Sequence, residues 1–237
     1  MLNPGKTKRA ARKAEQRAET QEMMLDAAEF LFAKHGLDGV TLKNVAQRVG
    51  VHPSLLNYYF ADKEALFDTV FARRAVITNQ HRMCALAAYD AGCANSPTVE
   101  GALEAFLEST LDLYIEGGDG WRNYAQLTAK VANTPEWAAE LLELHVDPVV
   151  RRLIGLLQRA LPQAALVEIF WGYHFVSGAL MLTLARTGRI DKLSGGINQS
   201  EDFTAVKSRM ASFMVAGFRA ICNRPTAFAA PVELAPV

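Results

Sequence analysis

Paired cysteines are missing from this sequence. Its three cysteines, at 84, 93 and 222, form no C-x-x-C pair and no zinc spacing, which excludes a disulfide framework and a closed structural zinc site. An odd count without a signal-peptide pattern reads as a reducing, cytoplasmic setting. His81 and Cys84 stand three apart on an expected helix, but two ligands do not close a metal site. Net charge is missing too. The 25 Lys/Arg balance 25 Asp/Glu over 237 residues, which argues against a protein that coats nucleic acid along its whole surface. Catalytic signatures are absent: there is no G-x-S-x-G, phosphate loop, dinucleotide fingerprint or H-E-x-x-H. Asp147, Glu168 and the histidines supply carboxylate and imidazole groups whose spacing nothing in the sequence fixes. The expectation is therefore no enzyme, no cofactor and no metal. Strand alternation is also lacking, which leaves an all-α chain.

What the chain does have is helical periodicity and ample apolar material, with half its residues hydrophobic. About nine helices are expected. The first runs from Thr20 to His35, with Leu25, Ala28, Leu31 and Phe32 inward. A long fourth helix, about Lys63 to Ala88, starts at an Asp62 cap. A turn over Gly92–Pro97 leads to a helix over Thr98–Glu116, and Gly117–Gly120 reads as a loop. Helices follow over Trp121–Asn133 and from Pro135 toward Leu161, where Pro148 should kink or break the second. Gln163–Thr187 is a long apolar helix, 188–200 a Gly- and Ser-containing loop, and Glu201–Cys222 the last helix. Pro225–Val237 reads as a loose tail.

The stretch from Ile169 to Ala185 is apolar all round and sits at the short limit of about 17–25 residues for a membrane span. Glu168, His174 and Arg186 lie in or against it. A helix buried on both faces in a soluble protein is the favoured reading, one face toward its own core and the other toward a second chain.

Charge is unevenly placed. Residues 1–60 carry nine Lys/Arg against six acids, and the remainder carries 16 against 19. A basic head on an acidic body suits a protein that touches phosphate at one end. Within that head, Thr41 suits the N-cap of a helix whose inward positions are Leu42, Val45, Ala46 and Val49. Gly50 stands where a left-handed C-cap would stop it. Pro53 suits the first position of a second helix, whose inward face is Leu56, Tyr59 and Phe60. Two short helices on a tight glycine turn make a helix-turn-helix, the second lying in a major groove. The segment Lys6–Lys13 is basic and reads either as a solvated tail or as an arm on flanking phosphates.

These residues resemble the TetR family of transcriptional regulators, over about Thr20 to Phe71. The resemblance rests on Ala28/Leu31-Phe32/Gly36, on Thr41–Ala46, on Gly50-Val51, and on the ending Tyr59-Phe60-x-x-Lys63-x-x-Leu66. Four positions depart: Val45 and Val49 stand for commoner Ile and Ala, His52 for a usual Ser N-cap, and Asn57 for a usual Tyr that contacts phosphate. The resemblance implies a three-helix DNA-binding head over 20–73 behind a basic arm at 1–19. It further implies a helical ligand-binding and dimerisation domain over 74–222, then the tail at 223–237. It implies a homodimer on near-palindromic, double-stranded operator DNA, by default a repressor, with activation as the alternative. Thr41, Lys43, Tyr59 and Lys63 are expected on phosphates; Pro53, Ser54, Leu55, Asn57 and Tyr58 on base edges. In this family the last two long helices pair as a four-helix bundle, which places Phe170, Tyr173, Val206, Met210, Phe213 and Gly217 at the dimer interface. A head that has lost DNA binding and serves as a scaffold is the distant alternative.

The expected input is a hydrophobic small-molecule effector. Trp121, Tyr124, Leu127, Trp137, His145, Trp171, His174, Phe175 and Met181 are its expected contacts, each of them also readable as ordinary core. Tyr124–Leu127, Phe170–Phe175 and Val176–Gly178 are similar to a TetR subgroup that includes fatty-acid-responsive repressors, which points to a fatty acyl ligand. Gly172 stands where that subgroup often has Arg.

Overall fold

A computed structural model describes residues 4–134 and 137–223. Among them are eleven helices and no strand, so the protein is all-α. The helices are α1 (Pro4–His35), α2 (Leu42–Val49), α3 (Pro53–Tyr59), α4 (Lys63–Gly92), α5 (Val99–Glu116) and α6 (Gly118–Val131). They continue with α7 (Trp137–His145), α8 (Asp147–Ala160), α9 (Leu166–Leu184), α10 (Arg189–Leu193) and α11 (Phe203–Cys222). The expected loose tail from Pro225 lies outside the described residues.

The segment running toward Leu161 breaks just before Pro148, as expected, into α7 and α8; Pro148 sits in the first turn of α8, where its missing N–H is tolerated. Three other local expectations are corrected. A five-residue helix, α10, occupies the expected 188–200 loop. Gly188 is left-handed at φ 67°, and Asp191 Oδ1 accepts from the Ser200 backbone N–H at 2.6 Å. The Gly117–Gly120 loop is largely the first turn of α6. A side chain at Gly120 would run into the Arg74 guanidinium, so this glycine serves a close approach. Lastly, α1 begins at Pro4, not Thr20. Segment 6–19 is built from Ala, Lys, Arg, Glu, Gln and Thr, mostly strong helix formers with no glycine. Its residues 11 to 19 are all exposed, so a search for apolar periodicity passes over them.

The described residues form two compact units, one within Met1–Ile77 and Glu116–His145, the other within Thr78–Ile115 and Val146–Val237. Helix α4 belongs to both, 63–77 to the first and 78–92 to the second. In the first unit, Phe32, Val45, Ala46, Leu56, Leu66, Phe67 and Val70 are buried, and the Phe32 and Phe67 rings meet edge-on at 5.0 Å. Helix α6 packs on α1 within this unit, and Tyr124 lies 5.7 Å from the Phe71 ring.

A charged network ties α1 to α4 in the same unit. Glu29 is buried, and its carboxylate accepts from Arg73 Nη2 at 2.8 Å and from Arg74 Nε at 3.0 Å. Arg73 Nη1 reaches Glu22 and Asp26, both at 2.8 Å. Burial works against the Arg73 charge, but Glu29, Asp26 and Glu22 outweigh it and raise its pKa above the ordinary guanidinium value. Arg74 also lies 4.9 Å over the Trp121 ring of α6.

In the second unit, α9 buries Ile169, Gly172, Val176, Leu180 and Leu184, a single helical stripe. It packs against α11, which buries Phe203, Met210, Met214, Val215 and Phe218. The approach is close at Gly172, where a Cβ would stand 2.6 Å from the Phe218 ring. Asp90 fixes α4 to α8 by accepting from Arg152 at 2.5 Å and Arg159 at 2.7 Å.

Candidate nucleic-acid interface

The reading head is assembled by its caps. Thr41 stands extended before α2 (φ −122°, ψ 157°), and its hydroxyl oxygen accepts from the Asn44 backbone N–H at 3.2 Å. Asn44 Oδ1 in turn accepts from the Thr41 N–H at 2.9 Å, which closes a capping box with Asn in the usual Glu/Gln place. Gly50 at φ 79° ends α2, its N–H donating to Ala46 O and Gln47 O. Val51 N–H also donates to Ala46 O, at 3.0 Å. That turn sets the entry of α3, which buries Leu56 and is followed by the buried Phe60.

With Leu56 and Phe60 inward, the rest of α3 is turned out. Ser54, Asn57 and Tyr58 are exposed, Tyr58 by 68 %, while Pro53 and Leu55 are half-buried. Thr41 and Lys43 are exposed at the start of α2. Tyr59 is half-buried, and its hydroxyl donates to the Arg17 carbonyl of α1 at 3.4 Å. Lys63 opens α4 with its ammonium 3.9 Å from Glu64, next to the Asp62 cap, which accepts from the Ala65 N–H at 2.7 Å. The projecting half of α1 adds exposed Arg9, Arg12, Lys13 and Arg17. This exposed, polar, cation-bearing face has the chemistry for a major groove flanked by phosphates.

His52 caps α3 in a specific tautomer. Its Nδ1 accepts from the Ser54 backbone N–H at 3.3 Å and faces Ser54 Oγ at 2.8 Å. An accepting Nδ1 requires the ring proton on Nε2. His52→Ala is therefore expected to weaken the head by about 0.5–2 kcal/mol, with His52→Ser near wild type. Thermal melts of the two variants check this; equal losses in both would remove the capping role.

The expected effector contacts fall in two sets, one per unit. Trp121, Tyr124 and Leu127 are buried in the first, where Trp121 and Tyr124 meet edge-on at 6.1 Å and His145 lies 6.2 Å from Phe71. Leu127 also lines an open cleft of about 330 Å³ with His35, Asp38, Phe67 and Lys130. Trp137 opens α7, and its side chain lies outside the described residues. Trp171, His174, Phe175 and Met181 lie on α9 in the second unit. Trp171, His174 and Phe175 form an exposed ring cluster with centroids 5.6–5.9 Å apart.

The expected dimer residues also separate. Phe170 is 50 % and Phe213 73 % exposed, Gly217 is exposed, and Val206 is half-buried. Met210 is buried within the chain, and Tyr173 is half-buried off the outward face of α9. His81 and Cys84 are exposed on α4, and no cluster of three or more potential metal ligands occurs among the described residues. By length and composition α9 is able to cross a membrane, yet its inner stripe is packed against protein.

Comparison with known proteins agrees with this geometry. Residues 24–70 match the family described as bacterial regulatory proteins, tetR family, and residues 104–217 match the tetracyclin repressor-like C-terminal domain. Similar solved structures include the regulator FadR from Bacillus subtilis in complex with stearoyl-CoA, at 13 % identity and TM-score 0.55, covering 83 % of this chain and 98 % of that one. The hemolysin II transcriptional regulator HlyIIR shares 17 % identity at TM-score 0.57, over 83 % and 97 % of the two chains. A TetR-like regulator from Rhodococcus sp. RHA1 shares 18 % identity at TM-score 0.54, over 86 % and 97 %. No curated protein matches. With both halves of the architecture matched and a complete helix-turn-helix in place, the chain belongs to the TetR family of transcriptional regulators, whose C-terminal domain binds ligands.

Proposed function

We propose that the protein is a cytoplasmic repressor that binds near-palindromic operator DNA as a homodimer and is released by a hydrophobic effector. The observation that carries the DNA-binding part is the outward face of α3, with Ser54, Asn57 and Tyr58 exposed over buried Leu56 and Phe60. In this reading Thr41, Lys43, Tyr59 and Lys63 hold phosphates and set the register. Pro53, Ser54, Leu55, Asn57 and Tyr58 face base edges, Asn57 suiting adenine and Leu55 a thymine methyl. The helical basic segment of α1 follows the flanking backbone. Two heads related by a two-fold axis read half-sites a helical turn, or a multiple of one, apart.

The effector reading draws on the ligand-binding C-terminal domain and on similarity to a regulator crystallised with stearoyl-CoA. Helix α4 runs through both compact units, so a displacement of its 78–92 half travels along the helix to the head. The effector must favour one position of α4 over the other, or no population shifts.

Two substitutions separate the roles on DNA. Lys63→Ala is expected to weaken binding to every sequence and to lower the salt slope by about one unit. Asn57→Ala is expected to change the ranking of operators, by about 1–3 kcal/mol at one base pair. Titrations of selected operators at several salt concentrations measure both. An unchanged slope removes Lys63 from the phosphates, and a uniform loss moves Asn57 onto them.

A further inference from the structure

The chain between α9 and α11 is ordered by polar bonds and buries none of its own apolar side chains. Over 186–201 it forms a loop whose two ends are joined by the Arg186–Glu201 ion pair at 2.6 Å. Asp191 Oδ1 accepts from the Ser200 N–H at 2.6 Å, and Oδ2 lies 3.3 Å from the Ser200 hydroxyl. The Asp191 carbonyl accepts from the Gly196 N–H at 2.8 Å, and Ser194 Oγ accepts from the Asn198 N–H at 2.9 Å. The three large apolar residues of this loop take no part in fastening it. Helix α10 has no buried residue, and Ile190, Leu193 and Ile197 are 45 %, 68 % and 87 % exposed. Fixing a loop costs conformational entropy, which burial of its own apolar side chains would ordinarily help to offset. Here the polar bonds alone hold the backbone, and the aliphatic side chains are presented to water. Exposed Arg189 and Lys192 stand beside Ile190 and Leu193, the mixture of apolar and charged groups found where a contact surface meets its rim.

The loop also prolongs an exposed row of α9. Trp171, Phe175, Gly178 and Leu182 recur at four, three and four residues, and all are exposed. Arg186, where the loop begins, is the next position of that row. We propose that the 186–201 loop is a clip that packs on a second copy of this chain in the homodimer, through Ile190, Leu193 and Ile197. This rests on the homodimer reading above and adds a surface that α9 and α11 do not supply. The occupant is a second copy because the clip continues the helix row on which the subunits of this family are expected to pair. A two-fold interface uses each patch twice, so both clips contribute. Because the loop is already fastened within one chain, docking it costs little further ordering.

The test measures the dimer dissociation constant of the full-length chain by sedimentation, over a dilution range that spans half-dissociation. Leu193→Glu/Ile197→Glu is expected to raise that constant at least about tenfold, since apolar contacts are lost and carboxylates are desolvated. Leu193→Ser/Ile197→Ser removes the apolar groups without adding charge and is expected to raise it by less. Helical circular dichroism of both variants should match wild type, because neither side chain is buried in the single chain. An unchanged constant in the glutamate variant overturns the clip. The homodimer reading outlives that result if Trp171→Glu/Phe213→Glu is monomeric. A wild-type chain that is monomeric at every concentration removes the homodimer reading and the clip together. Should the glutamate variant lose helicity, the serine variant decides, and an unchanged constant there overturns the proposal.

Discussion

Glu29→Ala is expected to destabilise the unit that carries the reading head by about 3–5 kcal/mol, the loss typical when one partner of a buried ion pair is removed. Glu29 is 1 % exposed and accepts from two arginines of α4, Arg73 at 2.8 Å and Arg74 at 3.0 Å. Arg73 keeps Glu22 and Asp26 after the substitution, but these are exposed carboxylates, and exposed ion pairs contribute little. Arg74 loses its bonds to Glu29 while still lying against Trp121. Glu29→Gln retains a hydrogen-bond acceptor and should lose less. Urea unfolding followed by circular dichroism gives the midpoints. A loss below about 1 kcal/mol for Glu29→Ala would mean that water replaces the carboxylate and that the network is not a clamp. The functional consequence follows from position. The network fixes α1 to α4 at the level of α6, so loosening it should weaken DNA binding without touching any residue of α3.

How much of this was legible depended on the kind of signal. The caps and turn of the helix-turn-helix were readable because each rests on a residue with one strong local preference: Thr41 at an N-cap, Gly50 at positive φ, Pro53 at a helix start. The inward and outward faces of α3 followed from the same periodicity. The Glu29 network was not read, although a signal existed. Glu22, Asp26 and Glu29 recur at four and three residues, one face of a helix, and Arg73-Arg74 follow the apolar Val70-Phe71. Nothing local pairs the two sets, because the partners lie more than forty residues apart.

The larger second unit was legible only as helices. Periodicity marks an apolar face but not what covers it, which is why Met210 and Phe213 looked alike in the sequence and differ in the structure, one buried and the other 73 % exposed. Trp171 and Phe175 were read as cavity contacts with ordinary core as the alternative, and the structure puts both on the outside of α9. Arg82 drew no notice, since one arginine in a long helix ordinarily reads as solvated; it is buried, with Thr110 and Phe106 of α5 against it.

Replacing Trp171 and Phe213 together by glutamate is expected to turn the protein into a monomer and to lower operator affinity by about 10²–10⁴-fold, the gain that linking two binding modules supplies. The argument begins with the inner faces. Helices α9 and α11 bury complementary stripes against their own unit, and the close approach at Gly172 and Phe218 leaves no room to rotate either helix inward. Their outer faces are then left to solvent. On α9 these are Val167, Phe170, Trp171, Phe175 and Leu182, each 43 % to 67 % exposed. On α11 Phe213 stands beside the small residues Ala216 and Gly217, which permit close backbone approach. So many large apolar side chains left exposed on two packed helices are rare on a monomer and are what an interface between copies needs. A two-fold dimer would bury four added carboxylates with no cation supplied to meet them, which ordinary apolar packing does not offset. Leu144→Glu is the control, since Leu144 is 70 % exposed on α7 in the other unit and its charge should leave association unchanged. Sedimentation equilibrium at micromolar protein distinguishes the outcomes. A double variant that stays dimeric would show that the copies meet elsewhere. A monomeric variant with wild-type operator affinity would show that a single head is enough, and the two-fold reading of the operator would fall with it.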